Sequence, residues 1–520
     1  MDHSTVDVVI VGGGHNGLVA AAYLAQAGKR VTLLERLDQV GGAAVSAEAF
    51  AGVDARLSRY SYLVSLLPQR IIDELKLDIR LERRRYSSYT PLPGTDRGLL
   101  VDNADAAATA ASFASVDAAD DSPRWQEFYA GTATLARSLF PTVCEPLLTR
   151  SEAKRALGDD ELWDALIERP IGETIESTFS NDLVRGVVLT DALIGTFAPN
   201  RDEGLAANRC FLYHVIGGGT GDWDVPVGGM GAVTGELARA AREAGATLLT
   251  NAEVTSITPE GEVRFLLNGE ESTLTAHTVL VNVAPYVLDS LLGAPASAAQ
   301  RPEGAQVKVN LMLTRLPRLR DSSVDPAAAF GGTFHINEGY AQLQAAFDAA
   351  SAGIVPSPLP SEIYCHSLTD PSILSPELQQ AGAQTLTVFA LHVPDRLLTP
   401  ENNDEMRAVL QQAVLDSLNS VLAEPIESLL MTDAEGRPCI ETKTTLDLEA
   451  ALRMPGGNIF HGPLSWPFVE DDAPLTTPAE RWGVSTGHER ILLCGAGSRR
   501  GGAVSGLGGH NAAMAVLEAD

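Results

Sequence analysis

Three glycines, Gly12, Gly14 and Gly17, stand in the spacing G-x-G-x-x-G directly after the largely apolar run Val6 to Val11 and at the start of an Ala/Leu-rich stretch. A strand, a glycine turn and a helix in that order make a cradle for a diphosphate. Gly12 permits the tight turn, Gly14 lets the backbone approach the phosphates, and Gly17 lets helix and strand pack closely. Asn16 falls in the same turn and joins the candidate binding residues. The helix N-terminus adds N–H groups and a positive dipole end. Glu35 follows the next apolar run, at the distance where an acidic side chain accepts hydrogen bonds from ribose hydroxyls and repels a 2′-phosphate. Arg36, beside it, would pack near an adenine or pair with a neighbouring acid.

Acid/base chemistry falls first to the histidines, of which His214, His335, His366, His461 and His510 lie in segments that could approach a cleft. A lone histidine is more often structural, so only His461 and His510, which sit inside longer motifs, are kept as catalytic candidates. The five cysteines, Cys144, Cys210, Cys365, Cys439 and Cys494, are scattered and contain no C-x-x-C pair. That pattern suggests no disulfide framework, no metal site and no redox dithiol, and it fits a cytoplasmic, reducing compartment. A second glycine cluster at Gly217, Gly218, Gly219 and Gly221 leads into DWDVP and not into a helical pattern, so it is a poor nucleotide fingerprint.

The elements that would position these groups form a βαβ beginning: strand Val6 to Val11, helix Gly14 to Ala27, strand Arg30 to Leu34. Residues 103–122 are Ala/Asp-rich and could be helix or surface excursion, and helical patterns follow from Trp125 to Gly195. The glycine-rich segment 216–231 reads as a boundary. A helix around Met230 to Ala241 and strands near Val254, Val263 and Val279 then return to a sheet. A further helix over 401–422 carries Met406, Val409, Leu410, Ala413, Val414, Leu418, Val421 and Leu422 on one stripe. Arg490 to Asp520 repeats strand, glycine-rich turn and helix.

At 520 residues, two domains are expected. The 67 acidic and 38 basic residues give a formal charge of −29, which excludes a nucleic-acid backbone as partner. No export signal opens the sequence and no apolar run is long enough to span a bilayer, so any membrane contact would be peripheral.

The stretch ERLDQVGGA, with Glu35, Arg36, Gly41, Gly42 and Ala43, resembles the E-R-x4-G-G extension of flavoproteins related to glutathione reductase and amine oxidase. Pro226 to Ile257, Asn458 to Trp466 and Leu492 to Leu517 are similar to the phytoene desaturase-like proteins, in the branch of pyridine-nucleotide-disulfide-oxidoreductase-domain flavoproteins. The resemblance implies an α/β protein with a Rossmann-type FAD-binding domain at 1–85, 225–300 and 485–520. A discontinuous α+β substrate domain would occupy 86–224 and 301–484. Paired glycines Gly41 and Gly42 would lie against FAD, and Val254 would hold the adenine through its backbone. Gly495 and Ala496 would approach the pyrophosphate or ribityl chain, with no carboxylate at Ala496. The segment Gly501 to Asn511, including Ser505, Gly506 and Asn511, would lead into a helix directed at the flavin ring, where its dipole favours negative charge at N1–C2=O. Arg499 and Arg500 would meet the flavin edge or an anionic substrate group, or lie on the surface.

The expected activity is FAD-dependent oxidation or desaturation of an apolar or amphipathic substrate, isoprenoid or lipid-like by analogy, with oxygen, a quinone or another compound taking the electrons. Two rivals stay open: a flavin-fold binding protein with little turnover, and an amine oxidase.

Overall fold

Val8, Val9, Ile10 and Val11 are all buried in the computed structural model, which describes residues 5–295, 297 and 300–519. Residues 1–4 and 520, the two outer ends of the expected FAD domain, lie outside the described residues, as do 296, 298 and 299. A strand buried on both faces belongs in a helix-covered parallel sheet. Val8 and Ile10 accordingly face one apolar core, Val9 and Val11 the other.

The chain opens with β1 (Thr5–Val11), α1 (His15–Gln26) and β2 (Val31–Leu34). It crosses to a second sheet with β3 (Tyr86–Pro91) and β4 (Gly98–Asp102), then enters α2 (Ala106–Ser115) and a layer of helices between Asp121 and Val215. The Ala/Asp-rich stretch is therefore helical where α2 lies. Asp105 caps that helix by accepting from the N–H groups of Ala107 and Ala108, and alanine has the highest helix propensity. The glycine-rich segment 216–231 is more than a boundary loop, because Val225–Pro226 pairs with Leu81–Glu82 before α3 (Met230–Glu243) begins.

Strands β5 (Thr247–Leu249), β6 (Ala252–Ile257), β7 (Glu262–Leu267) and β8 (Glu270–Val281) rejoin the first sheet. The second sheet gains β9 (Val307–Leu313), β10 (Thr333–Ile336), β11 (Ser361–Tyr364), β12 (Gln384–Ala390) and, after helix α4 (Asn403–Val421), β13 (Ile440–Lys443). The chain closes with β14 (Ile491–Leu493) and α5 (Leu507–Ala519).

The first sheet runs β6-β7-β8-β1-β2-β5, with β14 pairing β8. Its parallel part is β14, β8, β1, β2 and β5; β7 is antiparallel to both neighbours. Helices α1, α3 and α5 cover one face, where Leu18, Leu237 and Leu507 share a core with Ile10, Leu33 and Leu280. This is a Rossmann-like α/β unit. The second sheet runs β13-β9-β12-β11-β10-β3-β4 and is antiparallel except where β10 meets β3. Leu410, Val414 and Leu418 of α4 pack on it. Val409 departs from the expected stripe: it is 44% exposed, on the solvent side of α4. Among the described residues no helix is long and apolar enough to cross a membrane.

Candidate functional site

The turn after β1 is held by backbone hydrogen bonds and by the side chain of Asn282. Gly12 adopts φ +100°, and its N–H donates to the Leu34 carbonyl at 2.8 Å. Its own carbonyl accepts from Asn282 Nδ2 at 3.0 Å, so the end of β8 holds the turn open. A Cβ on Gly17 would fall 2.3 Å from that carbonyl, which is why only glycine lets α1 start so close to β1. Gly41 donates to the Gly13 carbonyl at 2.8 Å, drawing the paired glycines against the turn. Gly12, Gly14, Asn16, Gly42 and Ala43 face the cavity beyond, while Gly17 and Gly41 stand behind it.

Glu35 also lines the cavity, although 8% exposed. Its Oε2 accepts from the Gly13 N–H at 2.7 Å and Oε1 from the Leu37 N–H at 2.8 Å. A carboxylate has about four acceptor sites, so capacity remains for ribose hydroxyls. Among the described residues Arg36 pairs with no acid; its Nη2 donates to the Ala451 carbonyl at 2.7 Å. Val254 lies on the same wall, with Ala252 and Glu253.

The C-terminal segment completes the enclosure. Ala496, Gly502, Ala503 and Val504 line the cavity. Gly495 stands behind, where a Cβ would come within 3.0 Å of Asn282 Oδ1. Ser505 Oγ accepts from the Leu507 N–H at 3.2 Å and so caps α5, with Gly506 at φ +72° entering the helix. Asn511 points inward, donating to the Val143 carbonyl at 3.3 Å. The two histidine candidates separate. His510 is fully buried away from the cavity, edge-on to Tyr23 at 5.1 Å with Nδ1 on Asn511, and its role is packing. His461 does line the cavity, with Nδ1 unpartnered, and burial holds its ring down at about 4, neutral at pH 7.

Neither arginine of the motif reaches a cavity wall. Arg500 is 1% exposed and caps the carbonyls of Thr142, Glu145 and Trp482; Arg499 caps those of Trp466 and Phe468. A buried guanidinium with five donors serves well as a hub for unpaired carbonyls, so these two residues hold the enclosure together.

The cavity measures about 1140 Å³ and continues from the glycine turn to the second sheet. Ordinary ligand pockets hold about 300–1,000 Å³, so this one has room for a dinucleotide and a second molecule. Its lining also includes the apolar Leu66, Trp125, Tyr129, Val187, Ile194 and Phe460, and the titratable Lys308, Glu362, His335, Asp191 and Arg84. Lys308 donates to the carbonyls of Ser58 and Tyr60 at 3.0 and 2.6 Å, and burial depresses its ammonium. Of this group the sequence singled out only His335. Lys308 lies between Val307 and Val309 in β9, and Glu362 between Ser361 and Ile363 in β11; a charge in a buried strand is the signal the sequence offers for them.

The residues present fit a dinucleotide. Among the described residues the buried Asn16 Oδ1 and His461 Nδ1 have no hydrogen-bond partner, and both residues line the cavity where the dinucleotide would lie.

A family model described as an NAD(P)-binding Rossmann-like domain matches residues 10–69. A protein from Mycobacterium bovis described as uncharacterized is 57% identical over 98% of this chain and 97% of its own. The rat pyridine nucleotide-disulfide oxidoreductase domain-containing protein 2 is 30% identical over 98% of this chain and 93% of its own. Cyclohexylamine oxidase from Brevibacterium oxydans superposes with a TM-score of 0.56 across 99% of both chains at 15% identity, a likeness of fold.

Proposed function

The chain belongs to the family of the pyridine nucleotide-disulfide oxidoreductase domain-containing protein 2, and from that premise we propose that it is an FAD-dependent dehydrogenase of an amphipathic organic molecule. The observation that carries this reading is the continuity of the cavity. The glycine turn, Glu35 and the segment leading into α5 share one cavity with a set of apolar side chains and a group of titratable residues.

Bound FAD would supply a two-electron acceptor at flavin N5. The N–H groups of the Gly12–Asn16 turn and the N-terminus of α1 would hold the diphosphate, and Glu35 would accept from ribose hydroxyls. Gly502, Ala503 and Val504, which lead into α5, line the cavity, and the positive dipole end of that helix would favour negative charge on a reduced flavin held there. Leu66, Trp125, Val187, Ile194 and Phe460 bind the substrate's apolar body and exclude water from the reacting atoms. Lys308, locked by two carbonyls and lying over the Tyr62 ring at 4.8 Å, fixes the loop that carries Tyr60 and Tyr62 into the cavity. The sequence resemblance favours an isoprenoid or lipid-like substrate, with oxygen or a quinone taking the electrons. Any membrane contact would be peripheral.

The test is anaerobic. FAD-loaded protein is mixed with a panel of long-chain lipids, alcohols, amines and polyenes while the flavin absorbance is followed. Bleaching by a member of the panel supports the dehydrogenase; yellow colour that persists through the whole panel favours a binding protein with no turnover.

A further inference from the structure

Glu362 on β11 faces His335 directly across the ladder from β10, so both side chains project from the same face of the second sheet, and both line the cavity. Glu362 is 2% exposed. Its Oε2 accepts from the Tyr364 hydroxyl. Among the described residues Oε1 has no hydrogen-bond donor, its nearest basic neighbour being His335 Nδ1 at 3.9 Å. That same nitrogen lies 2.5 Å from Oε2 of Glu338, whose other oxygen is buried without a partner. Asp191 lines the cavity beside them.

A structural ion-pair network would put a cation against each of these carboxylates, and here the cations are engaged elsewhere. Arg84 gives Nε to the Trp223 carbonyl and Nη1 to the Thr333 hydroxyl, and Lys308 is held by two carbonyls. The ligand atoms of His335, Glu338 and Glu362 gather within 4.8 Å. Yet His335 and Glu338 are hydrogen-bonded at 2.5 Å, closer than two ligands held at about 2.0–2.2 Å in tetrahedral array can approach. As it stands, the cluster shares a proton between His335 and Glu338. Burial first, then the neighbouring Glu338, pushes Glu362 up to about 8, and burial pushes Asp191 up to about 6. A carboxyl in that range exchanges its proton at neutral pH.

We propose that Glu362, positioned by Tyr364 and the His335–Glu338 pair, accepts the proton that a substrate heteroatom releases during oxidation, which makes the substrate an alcohol or amine. The proposal rests on the chain being a flavin-dependent dehydrogenase. The O–H or N–H bond breaks with its proton passing to Glu362 Oε1. The adjacent C–H bond breaks with hydrogen and electron pair leaving as hydride to the flavin, and a C=O or C=N bond forms. Desaturation of a hydrocarbon also releases a proton, but from carbon and only after the hydride has left, so such a substrate offers no O–H or N–H for Glu362 to bind and orient beforehand.

FAD-loaded wild type, Glu362→Gln and Glu362→Asp are mixed anaerobically with decan-1-ol, decylamine or squalene from about pH 6 to 9. The alcohol or the amine should bleach wild type at a rate that rises with pH and levels off above the ionisation of Glu362. Glu362→Gln should slow bleaching by roughly 10²–10⁴-fold, while Glu362→Asp keeps a pH-dependent rate. Infrared difference spectra need no substrate: a carboxylic acid band should vanish as pH rises through about 8 in wild type and be missing in Glu362→Gln. Bleaching by squalene alone, or an equally fast Glu362→Gln, overturns the proposal, as does an infrared spectrum showing Glu362 ionised throughout. If bound flavin is bleached by nothing, the dehydrogenase reading fails by itself, and the infrared band then decides whether Glu362 holds a proton.

Discussion

Gly509 marks the place where the two ends of the chain meet, and replacing it tests whether their contact shapes the cavity. A Cβ on Gly509 would lie 1.9 Å from the Asn16 carbonyl oxygen and 2.9 Å from the Ala20 nitrogen, both on α1. Ordinary contacts lie at about 3.5–4.0 Å, so Gly509→Ala must push α5 from α1 by roughly 1–2 Å. Overpacking of this kind costs about 1–3 kcal/mol, against at most about 1 kcal/mol gained from alanine's helix propensity. Asn16 belongs to the glycine turn, and Gly502 to Val504 lead into α5, so the displacement opens the enclosure as well as the core. FAD affinity should fall about tenfold for each 1.4 kcal/mol felt at the site. Gly235→Ala on α3 is the control, because its Cβ would meet nothing within 4 Å; it should stabilise by about 0.5–1 kcal/mol. Thermal unfolding of the apoprotein and fluorescence titration with FAD measure the two effects. Equal behaviour of the two variants, or wild-type affinity in Gly509→Ala, would refute the reasoning.

Glu35→Gln keeps the size of the side chain but leaves one amide hydrogen-bond acceptor for two backbone N–H groups, those of Gly13 and Leu37. Hydrogen bonds to a charged group contribute about 1.5–3 kcal/mol, so calorimetry should show FAD and ADP both bound at least roughly tenfold more weakly. Lys308→Met withdraws both donors from the carbonyls of Ser58 and Tyr60; each buried acceptor left unpaired costs about 1–3 kcal/mol, to be read by chemical denaturation. His15, His214, His392 and His461 are held by burial at about 4 and His366 at about 3, below their ordinary value. Stability from burying these rings neutral is complete above about pH 6.5 and is lost as pH falls toward 4. His392→Asn, at a φ of +55° that asparagine tolerates, should flatten the acid slope of apoprotein stability by about 1.4 kcal/mol per pH unit, measured against wild type.

The dinucleotide end was legible because its requirements are local. Gly12, Gly14, Gly17 and Glu35 sit within one βαβ unit, where spacing alone fixes their relative positions. The apolar periodicity of α4 was equally plain in outline, yet Val409 fell on the solvent side, since a stripe read from spacing has no sharp edge. The far end of the cavity was hidden because its members meet only through the second sheet. Glu362 and His335 are neighbours by ladder register, and Lys308 reaches the loop at Ser58 to Tyr60 from more than two hundred residues away. Nothing in their spacing foretells that. Motif membership also misled: His510, Arg499 and Arg500 lie in the C-terminal motif but serve packing and carbonyl capping, roles that glycine-rich backbone near a cavity needs as much as it needs ligands.

The central claim is that the turn after β1 and the segment leading into α5 together enclose an adenine dinucleotide. Titrating the apoprotein with FAD and recording the visible spectrum, with the N–H groups of Gly12 to Asn16 and Gly501 to Leu507 followed by hydrogen exchange, tests it directly. The account predicts stoichiometric flavin absorbance and protection of both stretches on the same titration. Protection of one stretch without the other, or no bound flavin at saturating FAD, would contradict it.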